Sequence, residues 1–485
     1  MAFTSLEFAV FFGVVLVLNW RLRANFEVYP HFLLLANLIF YGLGAPRFLP
    51  LVIVVAACNW YTTVRLYREH RPRWRKIYIG LDVAFCIGLL FFFKYFEFGL
   101  GLVEQLGLSG DLLAQLRLPE IVYPIGMSFF TFQGLSLAID HYRDPTLEPP
   151  DFLTTLTFVS FFPTILSGPI QRAGDFIPQL YSAKYEPENF NLALVLILSG
   201  LFKKITLSSY VSEHIVRQVF QVPEAFSAVA VWAGIYGYSA QIYLDFSGYS
   251  DLALGIGLLL GYNVGVNFNA PYLAANIREF WHRWHISLST WLRDYLYFSL
   301  GGNRRGSKSV NLFLTQLLGG LWHGAHLRYI IWGACHGLAL VVSHFFEDRR
   351  KARERARSGG LELKPWQRPQ PRYVALRQAL GFLLTFNFVS LMWILFRAEN
   401  SARAWEIFRA SLDFGRDGLA APPLVWIIVG LTLLMQAVGP ELRDLFLKIQ
   451  GRLPGPVLAV WCAFWVVIIL KLGPEGVLPF IYFQY

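Results

Sequence analysis

The chain reads as an all-α integral membrane protein. Hydrophobic residues make up 55% of its 485 residues and charged residues only 15%, against roughly 25% charged in soluble domains. Its mean hydropathy is +0.45. The apolar residues also fall in blocks close to the ~20 residues that cross the hydrocarbon core as a helix, with the charges between them.

Taken in order, clear blocks run at about 5–20, 31–44, 47–66, 77–96, 190–209, 226–262, 310–346, 375–397, 423–438 and 456–471. Two more, near 121–140 and 150–168, contain prolines and polar residues and are expected to be bent or re-entrant. The expectation is ten to twelve transmembrane helices with additional re-entrant or short helices. The first block is expected to be a retained helix: Met1–Ala9 carries Glu7 and no Lys or Arg, and no small-residue cleavage site precedes Arg21. Arg21 and Arg23 follow it, so its N-terminus is expected outside the cytoplasm.

The net charge of +10 does not point to nucleic acid, because the positive residues concentrate in short loops. Arg65–Lys76 and Asp348–Arg372 are the richest of these, which places both on the cytoplasmic side. They serve orientation and contact with anionic lipid; contact with an acidic carrier protein or a cofactor phosphate is the sharper alternative. Cys58, Cys86, Cys335 and Cys462 lie in apolar segments without metal spacing, and disulfides are not expected there.

Residues 1–485 are read as a single polytopic domain. Its parts are an N-terminal bundle at 1–346 that holds a core at 240–346, a charged cytoplasmic linker at 347–372, and C-terminal helices at 373–485. No internal repeat is evident, which weighs against transporters and flippases built from duplicated halves. The stretch 265–306 is too polar for a simple span, with Asn, Arg and His interleaved with Trp and Tyr. Such a segment is tolerated at membrane depth only where protein covers it or it lines a cavity.

The chemistry-bearing residues lie between Asp245 and His336. Tyr243–Asp251 places two carboxylates and several hydroxyls between apolar runs, read as a turn with local caps or as a substrate contact. In a helix, His282 and His285 are i and i+3 neighbours on one face. His323 follows Gly319-Gly320 and Trp322, where glycines allow close approach of backbone or a slender ligand. A neutral imidazole there is suited to taking a proton from a hydroxyl nucleophile; hydrogen bonding in a polar seam is the alternative. The pairs His282/His285 and His323/His326, with Glu279 nearby, also admit a metal reading. No acidic residue lies within a turn of the second pair and Arg283 sits beside the first, so no metal is assigned. The absence of a Gly-x-Ser-x-Gly elbow favours direct transfer over a serine-bound acyl group.

Gln241–Asp251, Glu279–Tyr297, Gly301-Gly302-Asn303-Arg304 and Leu318–Ala325 together resemble the membrane-bound O-acyltransferases, in their bacterial polysaccharide branch. The resemblance extends from Lys94-Tyr95-Phe96 through Ser167-Gly168-Pro169 to the terminal Pro479–Tyr485. It implies a helical bundle around a central tunnel, with His323 as the catalytic histidine and His285 as a second functional histidine. It implies an acyl thioester donor, acetyl-coenzyme A or an acyl carrier protein, on the cytoplasmic side of the inner membrane. It further implies an exported polysaccharide acceptor, alginate-like, reached with extracytoplasmic acetyltransferase partners. Peptidoglycan, cellulose or a teichoic-type polymer is the alternative acceptor. Tyr482, in the terminal Phe480–Tyr485, is a candidate transient acyl carrier; an interfacial aromatic belt is the other reading of that segment.

Overall fold

The computed structural model describes residues 1–105, 122–182, 186–357 and 374–473. The apolar blocks become helices. Among the described residues no β-strand forms beyond one isolated bridge between Phe226 and Leu419. Among the described residues, seven helices are long and apolar enough to cross a membrane: Pro46–Arg68, Pro72–Phe96, Glu188–Gln221, Leu327–Arg353, Ala375–Arg397, Pro423–Gln450 and Gly455–Leu472. Leu6–Leu22, Tyr29–Gly44, Met127–Arg143 and Phe152–Ser160 are shorter helices built from other blocks.

Two readings are corrected. The block at 310–346 is not one helix but a hairpin of Lys308–His323 and Leu327–Arg357. The first helix ends because Gly324, its C-cap, is fully extended. The hairpin closes tightly because Gly320 and Gly333 carry no Cβ. A Cβ on Gly320 would stand 2.4 Å from the Tyr329 carbonyl oxygen, and one on Gly333 2.6 Å from that of Gln316. The segment at 243–251 is likewise not a turn, since it lies inside the continuous helix Ala228–Leu259. Apolar neighbours on both sides carry the helix through, and the two carboxylates meet lysines instead of capping a loop.

The chain divides into two compact units that do not follow chain order. One comprises 1–206, 245–266 and 443–485. Its bundle packs Tyr29–Gly44, Leu49–Arg68, Pro72–Gln105, Met127–Arg143 and Phe152–Ser160 around Phe40, Phe130, Phe158 and Phe162, all fully buried. Two of its buried lysines are paired: Lys203 Nζ lies 2.5 Å from Asp251 Oδ2, and Lys204 is ion-paired with Asp245. Both lysines sit on a π-helical segment, Phe202–Ser208, which continues Pro187–Leu201.

The other unit comprises 207–244 and 267–442. It holds the short helices Ile277–Arg283 and Ile286–Trp291, the hairpin, and Val374–Arg397. Arg328, 5% exposed, donates to the Phe396 carbonyl at 2.6 Å and the Leu395 carbonyl at 3.3 Å. That contact meets carbonyls at a helix C-terminus, where positive charge is favoured.

Candidate active site

The polar stretch at 265–306 folds into short elements because each carries its own stop signal. Asn276 caps Ile277–Arg283, its Oδ1 accepting from the Glu279 N–H at 2.9 Å. Glu279 closes the cap by accepting from the Ala275 N–H at 2.9 Å and pairs with Arg283 at 2.6 Å. The helix then ends at Trp284, which is extended. His282 and His285 therefore do not share a helix face: the spacing argument assumed a helix that breaks between them.

His285 adopts a left-handed backbone at φ 42°, a conformation unusual outside glycine and concentrated at functional sites. Its ring is 1% exposed, and burial lowers its pKa, so the imidazole is neutral. Asn267 holds it in place. Asn267 Oδ1 accepts from the Ser287 N–H at 3.2 Å and the Ser287 hydroxyl at 3.0 Å, and lies 3.1 Å from His285 Nδ1. Because Oδ1 is fixed as an acceptor, Nδ1 carries the proton and Nε2 the lone pair.

His323 ends the helix Lys308–His323 and lines a cavity of about 480 Å³. Aromatic rings surround it edge-on: Trp322 at 4.8 Å, Phe396 at 5.0 Å and Trp332 at 5.2 Å. The same cavity is lined by Lys308 at the opposite end of that helix. The two ends of the wall are the first and last residues of a 16-residue helix, about 22 Å apart at 1.5 Å per residue. The cavity thus runs from a charged end to a histidine end.

The charged end is a ring of ion pairs. Lys308 meets Asp348 at 2.9 Å, Lys351 meets Glu347 at 3.0 Å, and Arg278 also pairs with Glu347. In the sequence Glu347, Asp348 and Lys351 stand only as part of a charged linker; the acidic Glu347-Asp348 pair ahead of the Arg/Lys run that ends Leu327–Arg357 was the available signal. Gly319 borders the cavity, while Gly320 serves the hairpin contact. His282 lines the cavity; His285 does not, standing behind Ile286, which does. His326 is exposed at the hairpin turn. Tyr482 lies outside the described residues.

A cavity with an imidazole at its inner end and a channel of charge at its mouth suits group transfer, and relatives identify the family. Residues 125–353 match the model of the membrane-bound O-acyltransferase family. The probable alginate O-acetylase AlgI of Pseudomonas putida is 34% identical, over 93% of this chain and 94% of that protein. The chain belongs to the membrane-bound O-acyltransferase family. The probable alginate O-acetylase AlgI of Pseudomonas aeruginosa is 36% identical over 79% of this chain and 69% of its own length. The peptidoglycan O-acetyltransferase of Helicobacter pylori is 33% identical over 80% of this chain and 74% of its own. This membrane-bound O-acyltransferase is accordingly an enzyme and a multi-pass membrane protein, and the cavity is its candidate active site.

Proposed function

We propose that this acyltransferase moves an acetyl group from a cytoplasmic thioester across the inner membrane for O-acetylation of an exported polysaccharide, alginate or a similar exopolysaccharide. One observation carries the reading: the cavity that begins among ion-paired charges ends at His323. The charged end adjoins the Asp348–Arg372 basic stretch, because Lys308 pairs with Asp348, and positive loops favour the cytoplasm. A phosphate-bearing thioester, acetyl-coenzyme A or an acyl carrier protein, meets Arg278, Lys308 and Lys351 there by exchanging with Glu347 and Asp348.

The chemistry follows from the ring. The acceptor hydroxyl attacks the thioester carbonyl carbon while His323 takes its proton as general base. Collapse of the tetrahedral intermediate breaks the C–S bond, and the thiolate takes the proton back. His285, held neutral and oriented by Asn267, positions the reacting groups through the segment that carries Ile286. Tyr482 is a candidate transient carrier that hands the acyl group to extracytoplasmic acetyltransferase partners. The Helicobacter relative keeps peptidoglycan as the second acceptor.

The test measures polymer-bound O-acetyl in a deletion strain complemented with wild type, His323→Ala, His285→Ala or Tyr482→Phe, with membrane abundance checked. Loss of ester at normal abundance in His323→Ala is expected. Unchanged acetylation by that variant removes the mechanism, and full acetylation by Tyr482→Phe removes the relay.

A further inference from the structure

At the inner wall of the cavity, four polar atoms are buried without a hydrogen-bond partner among the described residues. They are Nε1 of Trp281, Nε1 of Trp332 and both ring nitrogens of His336. Trp281 and Trp332 line the cavity together with His323, and His336 stands behind them, fully buried. Trp332 lies 4.5 Å from His336 and 5.2 Å from His323, ring centroid to centroid. Trp281 lies 5.2 Å from His336 and 5.7 Å from Trp332.

Buried polar groups are rarely left unmet, because desolvation is then uncompensated. An indole offers one donor and no acceptor, and a neutral imidazole offers one of each. The cluster therefore presents three N–H groups against a single lone pair. Even if one indole donated to His336, two N–H groups would still lack an acceptor among the described residues. Such a set repels a cation and suits one oxygen with spare lone pairs. Donors arranged in this way beside a general base, away from water, stabilise a carbonyl oxygen as it gains negative charge.

We propose that Trp281 and Trp332, their rings positioned by His336 packed behind them, form the subsite that takes the carbonyl oxygen of the acyl group at His323. The proposal rests on the thioester-donor reading above. As the acceptor oxygen bonds to the carbonyl carbon, the carbonyl electron pair moves onto its oxygen, where the N–H groups hold it. When that pair returns, the C–S bond breaks and the thiolate leaves with the proton from His323. No other reactant is needed.

The test uses two analogues of pantetheine 4′-phosphate, the arm common to coenzyme A and acyl carrier proteins. The S-acetonyl analogue keeps a carbonyl and the S-propyl analogue lacks it. Calorimetric binding to the purified full-length protein in detergent is compared for wild type, Trp332→Phe, Trp281→Phe, His336→Ala and His336→Gln. Wild type is expected to prefer the ketone by about tenfold or more, a preference that Trp332→Phe and His336→Ala cut below about threefold. Their affinity for the propyl analogue stays unchanged, and His336→Gln restores most of the preference. With acetyl-pantetheine phosphate as substrate, kcat falls about tenfold or more while KM holds within about twofold. Trp281→Phe supplies the same comparison should His336→Ala fail to fold. A ketone preference that survives both Phe variants overturns the subsite and leaves these nitrogens to ordered water. Binding of neither analogue to wild type overturns the thioester-donor reading itself, and the subsite with it.

Discussion

The unit built from 1–206, 245–266 and 443–485 holds Lys203 and Lys204, and the unit built from 207–244 and 267–442 holds His285, His323 and His336, in opposite surroundings. In the first, Lys203 and Lys204 meet Asp251 and Asp245, each charge against a counter-charge, and Lys203 also donates to the Ser247 hydroxyl at 3.3 Å. In the second, His285 is held by an amide, while His323 and His336 stand among aromatic rings. A charge at membrane depth is retained when it is paired or has a task. Pairing fixes the lysines and commits their protons; His285, held by an amide and not by a counter-charge, keeps the lone pair of its Nε2. The difference separates paired charges that join helices from the histidines proposed to act.

The largest effect that sharpens this contrast is at His323. His323→Ala is expected to lower acyl transfer by about 10²–10⁴-fold, the range of a lost general base, at normal membrane abundance. The Lys204–Asp245 pair behaves differently. Lys204→Met strands Asp245 and is expected to destabilise the protein by about 3–5 kcal/mol, read as a lower unfolding midpoint in detergent. The double variant Lys204→Met/Asp245→Leu recovers most of that stability together with activity. Inactivity of a well-folded double variant breaks the comparison, because these pairs then do more than join helices.

A smaller effect is expected at the hairpin. Gly320→Val forces the helices Lys308–His323 and Leu327–Arg357 apart and costs about 1–3 kcal/mol, the usual range for overpacking. Smaller again, Asn267→Leu frees the His285 ring and is expected to reduce acyl transfer about tenfold, whereas Asn267→Asp keeps the acceptor and most of the rate. Equal activity of both Asn267 variants would falsify the positioning role of that amide. Least of all, Arg217→Ala removes an exposed pair with Glu213 and is expected to leave both stability and activity within experimental scatter.

Much of this was legible in single residues. The apolar blocks announced helices, and Trp322-His323-Gly324 announced an imidazole beside a neck of small residues. Periodicity failed where a break is set by backbone geometry. Nothing in the spacing of His282 and His285 reveals that the helix stops at Trp284 and resumes after a left-handed residue. It failed again at Tyr243–Asp251, where two carboxylates suggested a turn because their counter-ions lay far away in the chain. Lys203 and Lys204, inside an apolar block, were the signal that could have found them.

The sequence by itself determined the class of the protein: lipid solubility is a sum over residues, and so is helix length. It also marked His323, because an ionisable group in an apolar run stands out without knowledge of its neighbours. Only the tertiary structure decided what that ring faces. The cavity exists because the hairpin returns Asp348 to Lys308, and the nitrogen cluster exists because Trp281 is folded against Trp332 and His336 from a distant segment. Hydrogen-bond satisfaction is a property of contacts between segments, so which buried groups are met and which still seek a partner is settled by the fold.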